Sequence, residues 1–224
     1  MSTARPIQSA GDPATPIRRG WPQLIAGTAT AGAIAAVVIV YAYYNDPWRP
    51  LAHALGIWAV LATAVAFRRP LRQAVGAAVS FLAAAVVSFY VGLKVGHDIR
   101  WADSGSVMGV NWEQIQLWLV LAVAAGAVFG LLGAVAAWQD WRGAAATAVL
   151  LGLLLGDAWR RGTTYRLDVA VAVDLLAAVV VFVIAARANR HPALTLGLTV
   201  ITSGVGFLVV SAPDFIEQLM IEGF

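Results

Sequence analysis

The chain has no cysteine, which excludes disulfides and thiolate metal sites and leaves the redox compartment open. Charge is scarce too: Asp, Glu, Lys and Arg make up 12% of its 224 residues, about half of the roughly 25% typical of soluble domains. Too little charge is present to cover a globular surface in water, so lipid is the expected solvent for most of it. Histidine is the third scarcity, with 3 residues. No HExxH or similar spacing joins them. His53, His97 and Asp98 are the combination that would share a metal, and scattered histidines rarely form sites. No metal and no cofactor is expected.

What the chain does have is apolar sequence, 60% of it. A membrane-spanning helix needs roughly 20 apolar residues, about 17 at the short end. Runs of that kind fall near 22–44, 51–67, 73–94, 112–138, 143–159, 167–187 and 192–212. They are long, rich in Ala and Leu, and lack the alternation of strands. In hydrocarbon only helices or closed barrels satisfy the backbone. The expected fold is therefore all-α, a polytopic membrane helix bundle of about seven transmembrane helices. Six helices with both ends on one side is the alternative. Residues 1–20 read as a flexible cytoplasmic tail, 21–212 as the bundle, and 213–224 as a short amphipathic segment at the outer interface. The first apolar run exceeds a signal-peptide core, so it reads as an uncleaved helix.

Orientation follows the basic residues. Arg5, Arg18, Arg19, Arg68, Arg69, Arg72, Arg142, Arg187 and Arg190 fall on one side of a seven-helix layout; Arg49, Lys94, Arg100, Arg160, Arg161 and Arg166 fall on the other. The excess places the N-terminus in the cytoplasm and the C-terminus outside, across the cell membrane. These arginines sit in short loops, where they act as topology signals rather than as a nucleic-acid surface. Tyr41, Tyr43, Tyr44, Trp48, Trp101, Trp112, Trp159 and Tyr165 would belt the outer face, and Trp21, Trp138 and Trp141 the inner one. Trp58 alone sits mid-helix, as filler. AVAFRRPLRQAVGAAV, AVAAWQDWRGAAATAV and VIAARANRHPALTLGL share an outline of Ala-rich helix, charged turn and helix. Transporter repeats look like this, and so does any row of Ala-rich hairpins.

Small residues mark packing faces. Gly126 and Gly130, with Gly133 beyond, and Gly152 and Gly156 are spaced four apart, which lets backbones approach closely where no hydrophobic effect drives helices together. The fourth and fifth helices packed on each other, or a homodimer seam, would use them. The first helix carries a similar ladder at Gly27, Ala31 and Ala35.

The segment GDAWRRGTTYRLDVAVAVD, Gly156 to Asp174, concentrates charge in a greasy neighbourhood. Asp157 is three and four residues from Arg160 and Arg161, so one helical turn pairs them. An interfacial turn with mutually offset charges accounts for that group. Arginines receiving an anionic head group or substrate are the lesser alternative. Asp174 differs, because it lies seven residues past Leu167, about 10 Å along a helix. A carboxylate at the bilayer centre costs about 2.5–3.5 kcal/mol, and intramembrane acids are functional candidates by default. It reads either as a structural acceptor or as a site for a cation, proton or polar ligand. Lys94, His97 and Asp98 follow the third run, and His53 and Glu113 begin the second and fourth. Together they would line an outward-facing polar vestibule with ligand-binding residues Asp174, Asp157, Arg160, Arg161, Lys94 and His97. Ser211-Ala-Pro-Asp214 reads as a capping box that opens a separate terminal helix.

The segments AVAFRRPLRQAVGAAVSFLAAAVVSFYVG and AVAAGAVFGLLGAVAAWQDWRGAAATAVLLGLLLGDAW resemble uncharacterised polytopic membrane proteins of high-GC Gram-positive bacteria. The resemblance lies in the Arg68-Arg69-Pro70 turn, the Gly126 to Gly130 helix, and Asp157 ending the next helix. The proline usual inside that glycine segment is replaced by Ala127-Val128. Because that family has no known function, the resemblance implies location and architecture and no activity.

Three functions fit these residues. The first is a membrane protein that binds or transports a small molecule, ion or lipid through the vestibule. The second is a non-catalytic subunit of a larger membrane complex, or a homo-oligomer, docked through small-residue faces. A membrane enzyme ranks last, since no DDxxD carboxylate cluster, His-Arg phosphate pocket or nucleophile–base pair is visible. Membrane lipids are the expected surroundings, and nucleic acid is not an expected partner.

Overall fold

The computed structural model describes residues 20–104, 108–164, 167–188 and 191–222, with side chains up to residue 212 in the last stretch. The N-terminal tail with its arginines, and Tyr165, Arg166 and Arg190, lie outside the described residues. Every regular element among the described residues is helical: α1 Trp21–Tyr43, α2 Leu55–Ala66, α3 Leu71–Arg100, α4 Trp112–Ala136, α5 Trp141–Thr164, α6 Val169–Ala188 and α7 Pro192–Glu222. Short 3-10 turns cover Arg49–His53 and Ala102–Ser104. Prolines stand where a missing N–H costs nothing, at Pro22 in the first turn of α1, Pro70 before α3 and Pro192 opening α7. Three later helices are capped by side chains. Asn111 accepts from Gln114 N at 3.0 Å. Asp140 accepts from Arg142 N and Gly143 N at 3.0 and 3.3 Å. Asp168 accepts from Ala170 N and Val171 N at 2.9 and 3.0 Å.

Five helices, α1, α3, α4, α6 and the first 21 residues of α7, are long and apolar enough to cross a membrane. The other two differ from the sequence expectation in instructive ways. The run 51–67 divides into the Arg49–His53 turn, a bend at Ala54 with ψ 112°, and α2. At 12 residues, α2 is about 18 Å long, well short of a hydrocarbon core of about 30 Å. The run 143–159 lengthens to the 24 residues of α5, which carry Arg142, Asp157, Arg160 and Arg161. Two ends also extend. α3 continues to Arg100, so Lys94, His97 and Asp98 lie on the helix rather than after it. α7 runs unbroken past Pro213, and Ser211 Oγ donates to Phe207 O at 2.7 Å inside the helix instead of opening a new one.

The helices form two groups, joined by α2 and by direct packing of α4 on α5 as the sequence suggested. α3 packs against both α1 and α4; α5 packs against both α7 and α6; α2 touches α3, α4, α5 and α6. The three hairpins are therefore not equivalent, because α6 and α7 each pack on α5 rather than on each other. The glycine spacings make close contacts, with different partners from those the spacing suggests. A Cβ on Gly126 or Gly130 of α4 would stand 2.7 Å from Val79 Cα or 2.5 Å from Val75 Cα, both on α3. Gly152 and Gly156 of α5 abut Thr202 and Phe207 of α7, and Gly206 presses on the Gly152 carbonyl. Each pair lets two backbones meet. Sequence spacing marks the close face but cannot say which helix meets it.

The main core is built from small residues around two rings: Ala59, Ala62, Ala66, Ala74 and Ala78 with Phe81 and Phe129. Trp58 packs on its margin. Outward faces are apolar, with Ile34, Val37 and Val38 of α1, Leu176 and Val179 of α6 and Val200 and Ile201 of α7 all exposed. Exposed aliphatic stripes over an alanine core are the surface pattern of a helix bundle solvated by lipid.

Candidate functional site

α2 begins without a cap of its own. Its N-cap is Ala54, whose side chain accepts nothing, yet the first N–H groups of a helix need acceptors. The acceptor arrives from α5. Asp157 Oδ2 takes hydrogen bonds from Leu55 N at 3.0 Å and Gly56 N at 3.2 Å. Oδ1 takes one from Arg160 Nη2 at 3.1 Å and lies 3.5 Å from Arg161 Nε. A carboxylate at the positive end of a helix, saturated with donors, is a stable arrangement even when buried. Asp157 is 0% exposed and Arg161 4%. The expected interfacial turn of exposed pairs is thus replaced by a buried ionic centre. α5 continues for about two turns beyond Asp157, to Thr164, so this aspartate does not end its helix.

Arg161 carries the link further. Its guanidinium donates to the His53 carbonyl and, at 3.5 Å, to the Pro50 carbonyl. The 3-10 turn and the start of α2 are thereby tied to α5. The His53 side chain itself is exposed. Desolvation, and then the Arg161 and Arg49 cations, hold its imidazole below the usual 6.5.

The second carboxylate approaches the same point from α6. Asp174 lies five residues into α6, about 7.5 Å along it, and is 0% exposed. Neither of its oxygens has a hydrogen-bond partner. A methyl group placed on Gly56 would overlap Asp174 Oδ1 and stand 2.9 Å from Leu154 Cδ2. Gly56 therefore serves as the meeting point of two carboxylates, donating its N–H to Asp157 and presenting its bare Cα to Asp174. Buried polar atoms without partners are rare and costly. Among the described residues, Asp174 alone has two buried side-chain atoms without a hydrogen-bond partner.

Lys94 and His97 belong to another cluster. Lys94 pairs with Asp98 one turn on, and His97 lies against Trp101 with centroids 4.7 Å apart. Arg100 donates to the Tyr44 carbonyl at 2.8 Å, and Tyr44 donates to the Leu93 carbonyl at 2.7 Å. A run of rings joins the two clusters: His53 to Tyr43 at 6.0 Å, Tyr43 to Tyr44 at 5.1 Å, and Tyr44 to Trp101 at 5.9 Å. These rings stand between His53 and His97. Among the described residues no group of three His, Cys, Asp or Glu side chains is placed to hold a metal. Of the six residues proposed from sequence to bind a ligand, the structure gathers Asp157, Asp174, Arg160 and Arg161, and sets Lys94 and His97 apart.

The sequence reading missed Gly56 and the amino end of α2. The available signal was an omission: a helix start reading His53-Ala54-Leu55-Gly56 offers no Ser, Thr, Asp or Asn as a cap. Such a start requires an acceptor from elsewhere in the molecule.

No curated protein and no solved structure matches this chain. A family model does, over residues 20–215, and that stretch contains every residue of the centre described above. By that match the chain belongs to a family of unknown function, DUF6518.

Proposed function

We propose that this is a multi-pass membrane protein that binds or transports a small molecule, ion or lipid, with the buried centre around Asp157, Asp174, Arg160 and Arg161 as its site. One observation carries the reading: both oxygens of Asp174 are buried and unpartnered beside the amino end of a short, bent helix. A carboxylate in that position is completed by whatever supplies the missing donor, and interrupted helices whose ends face a polar site are a recurrent device of transporters. In this reading Asp157 and Arg161 hold α2 and the Arg49–His53 turn in place, and Asp174 meets the ligand. Lys94 and His97 belong to the outer approach. The N-terminus is cytoplasmic and the outer end carries the Tyr43, Tyr44 and Trp101 rings.

The test is native mass spectrometry of the full chain, extracted gently from its own membrane into nanodiscs. A stoichiometric small molecule or lipid that is lost in Asp174→Asn supports the reading. A ligand retained equally by that variant removes Asp174 from the site.

A second reading, an accessory subunit of a larger complex, has its own observation. Gly197 and Gly204 of α7 have nothing within 4 Å of where a Cβ would stand. Their spacing of seven puts them on one helix face, open to a partner helix. A co-purifying protein subunit that is lost in Gly204→Leu would favour it.

A further inference from the structure

We infer that the ligand of Asp174 is the proton: its carboxyl group takes up and releases one H⁺ while the neighbouring Asp157 stays engaged as the cap of α2. The inference rests on the reading of Asp174 as the ligand-meeting residue, and it names the ligand class at that atom.

Space and coordination decide the class. Asp174 Oδ1 is packed so closely on Gly56 that a methyl group would not fit between them, and Leu154 closes the adjacent side. No organic solute fits between Gly56 and that oxygen. A metal ion would need several oxygen ligands at once. The nearest other carboxylate cannot supply them, because Asp157 already accepts from Leu55 N, Gly56 N and Arg160. The carbonyls of Pro50 and His53 are engaged by Arg161. An anion is repelled by Asp174 itself. A proton needs one oxygen and almost no volume.

Charges of both signs surround Asp174. From α5, Arg160 and Arg161 attract and Asp157 repels; from the start of α6, Asp168 repels. α2 contributes no titratable side chain. The Arg49–His53 turn contributes Arg49 and His53. Cations and anions both face the group and no partner holds either oxygen, so the proton is free to come and go there. Asp157 has its donors in place as the cap of α2. On uptake one O–H bond forms at an Asp174 oxygen, with the proton drawn from water at the polar end of the bundle. On release that bond breaks and the proton returns to water. No redox partner is involved.

Difference infrared spectroscopy of the full chain tests this. The protein is held in ether-lipid bilayers, which lack an interfering ester carbonyl, and stepped between acidic and alkaline pH. The expected result is the C=O stretch of a protonated carboxyl that disappears on alkalinisation. It shifts in D₂O and again when aspartate is labelled with ¹³C at its carboxyl carbon, and it is absent in Asp174→Asn. In Asp174→Glu the band persists but no longer responds to aspartate labelling. Should Asp174→Asn fail to fold, labelled wild-type protein and Asp174→Glu still decide the matter. An aspartate-sensitive carboxyl signal that is the same in wild type and Asp174→Asn at every pH, with no component lost in the variant, overturns the inference. A bound solute found by mass without the band defeats the proton alone; the band without any bound solute leaves the proton and defeats the wider solute-binding reading.

Discussion

Asp157 and Asp174 have the same side chain, both are fully buried, and both converge on Gly56, yet their surroundings are opposite. Asp157 is held by two backbone N–H groups and a guanidinium, with a second guanidinium alongside. Asp174 has no hydrogen-bond partner for either oxygen. Burial alone therefore does not mark a functional acid. A buried carboxylate that is saturated holds structure together, and one left unsatisfied is a place where something else is expected. The contrast assigns separate roles to two residues that the sequence places in a single charged segment.

Breaking the saturated side should have the largest effect. Asp157→Ala strands two arginines and the amino end of α2, and removing one partner of a buried ionic group costs about 3–5 kcal/mol. The expected outcome is a large fall in the unfolding temperature of the detergent-solubilised protein, measured by intrinsic tryptophan fluorescence. An unfolding temperature within a few degrees of wild type would remove Asp157 from the scaffold.

Gly130→Leu comes next. The α3–α4 contact at Val75 leaves no room for a side chain, and overpacking of this kind costs about 1–3 kcal/mol or more. Because this glycine lies inside the chain's own bundle, the variant should lose stability as an isolated protein, by the same fluorescence assay. A stable variant that only fails to associate with a partner would contradict that placement.

Asp174→Asn sharpens the comparison from the other side. It removes an unpartnered charge, so the unfolding temperature should stay equal to wild type or rise, while ligand or proton binding is lost. A loss of stability matching Asp157→Ala would mean that Asp174 has a structural partner after all.

The smallest effect belongs to His53. Its folded-state value lies below the ordinary 6.5, so the unfolded chain binds the extra proton first. The stability contributed by the neutral ring is present above the ordinary value and is lost as pH falls through it towards the folded value. Stability should drop modestly between about pH 8 and about pH 5, and less so in His53→Gln. Unfolding curves at the two pH values check this, and an equal drop in the variant would clear His53.

How much of this was legible beforehand differs by kind of information. Helix identity was legible, because run length and Ala-Leu composition report directly on the solvent. So was the anomaly at Asp174, a lone acid among valines. The Asp157, Arg160 and Arg161 grouping followed from helical spacing. Partner choice was not legible. Gly130 meeting Val75 and Gly156 meeting Phe207 are decided by how helices distant in the chain pack, and spacing within one helix carries no trace of that. The bend at Ala54 was hidden because His53-Ala54-Leu55-Gly56 reads as an ordinary apolar start. It becomes a helix terminus only once Asp157 is beside it. Lys94 and His97 were grouped with the site because they lie near a helix end, and the rings of Tyr43 and Tyr44 that, with Trp101, separate them from it come from another segment.

The most direct test of the two-role account is a paired unfolding measurement of Asp157→Asn and Asp174→Asn in the same lipid nanodiscs. Asp157→Asn is expected to unfold at a much lower temperature than wild type, and Asp174→Asn at the wild-type temperature or above it. Equal losses in both variants, or a loss confined to Asp174→Asn, would contradict it.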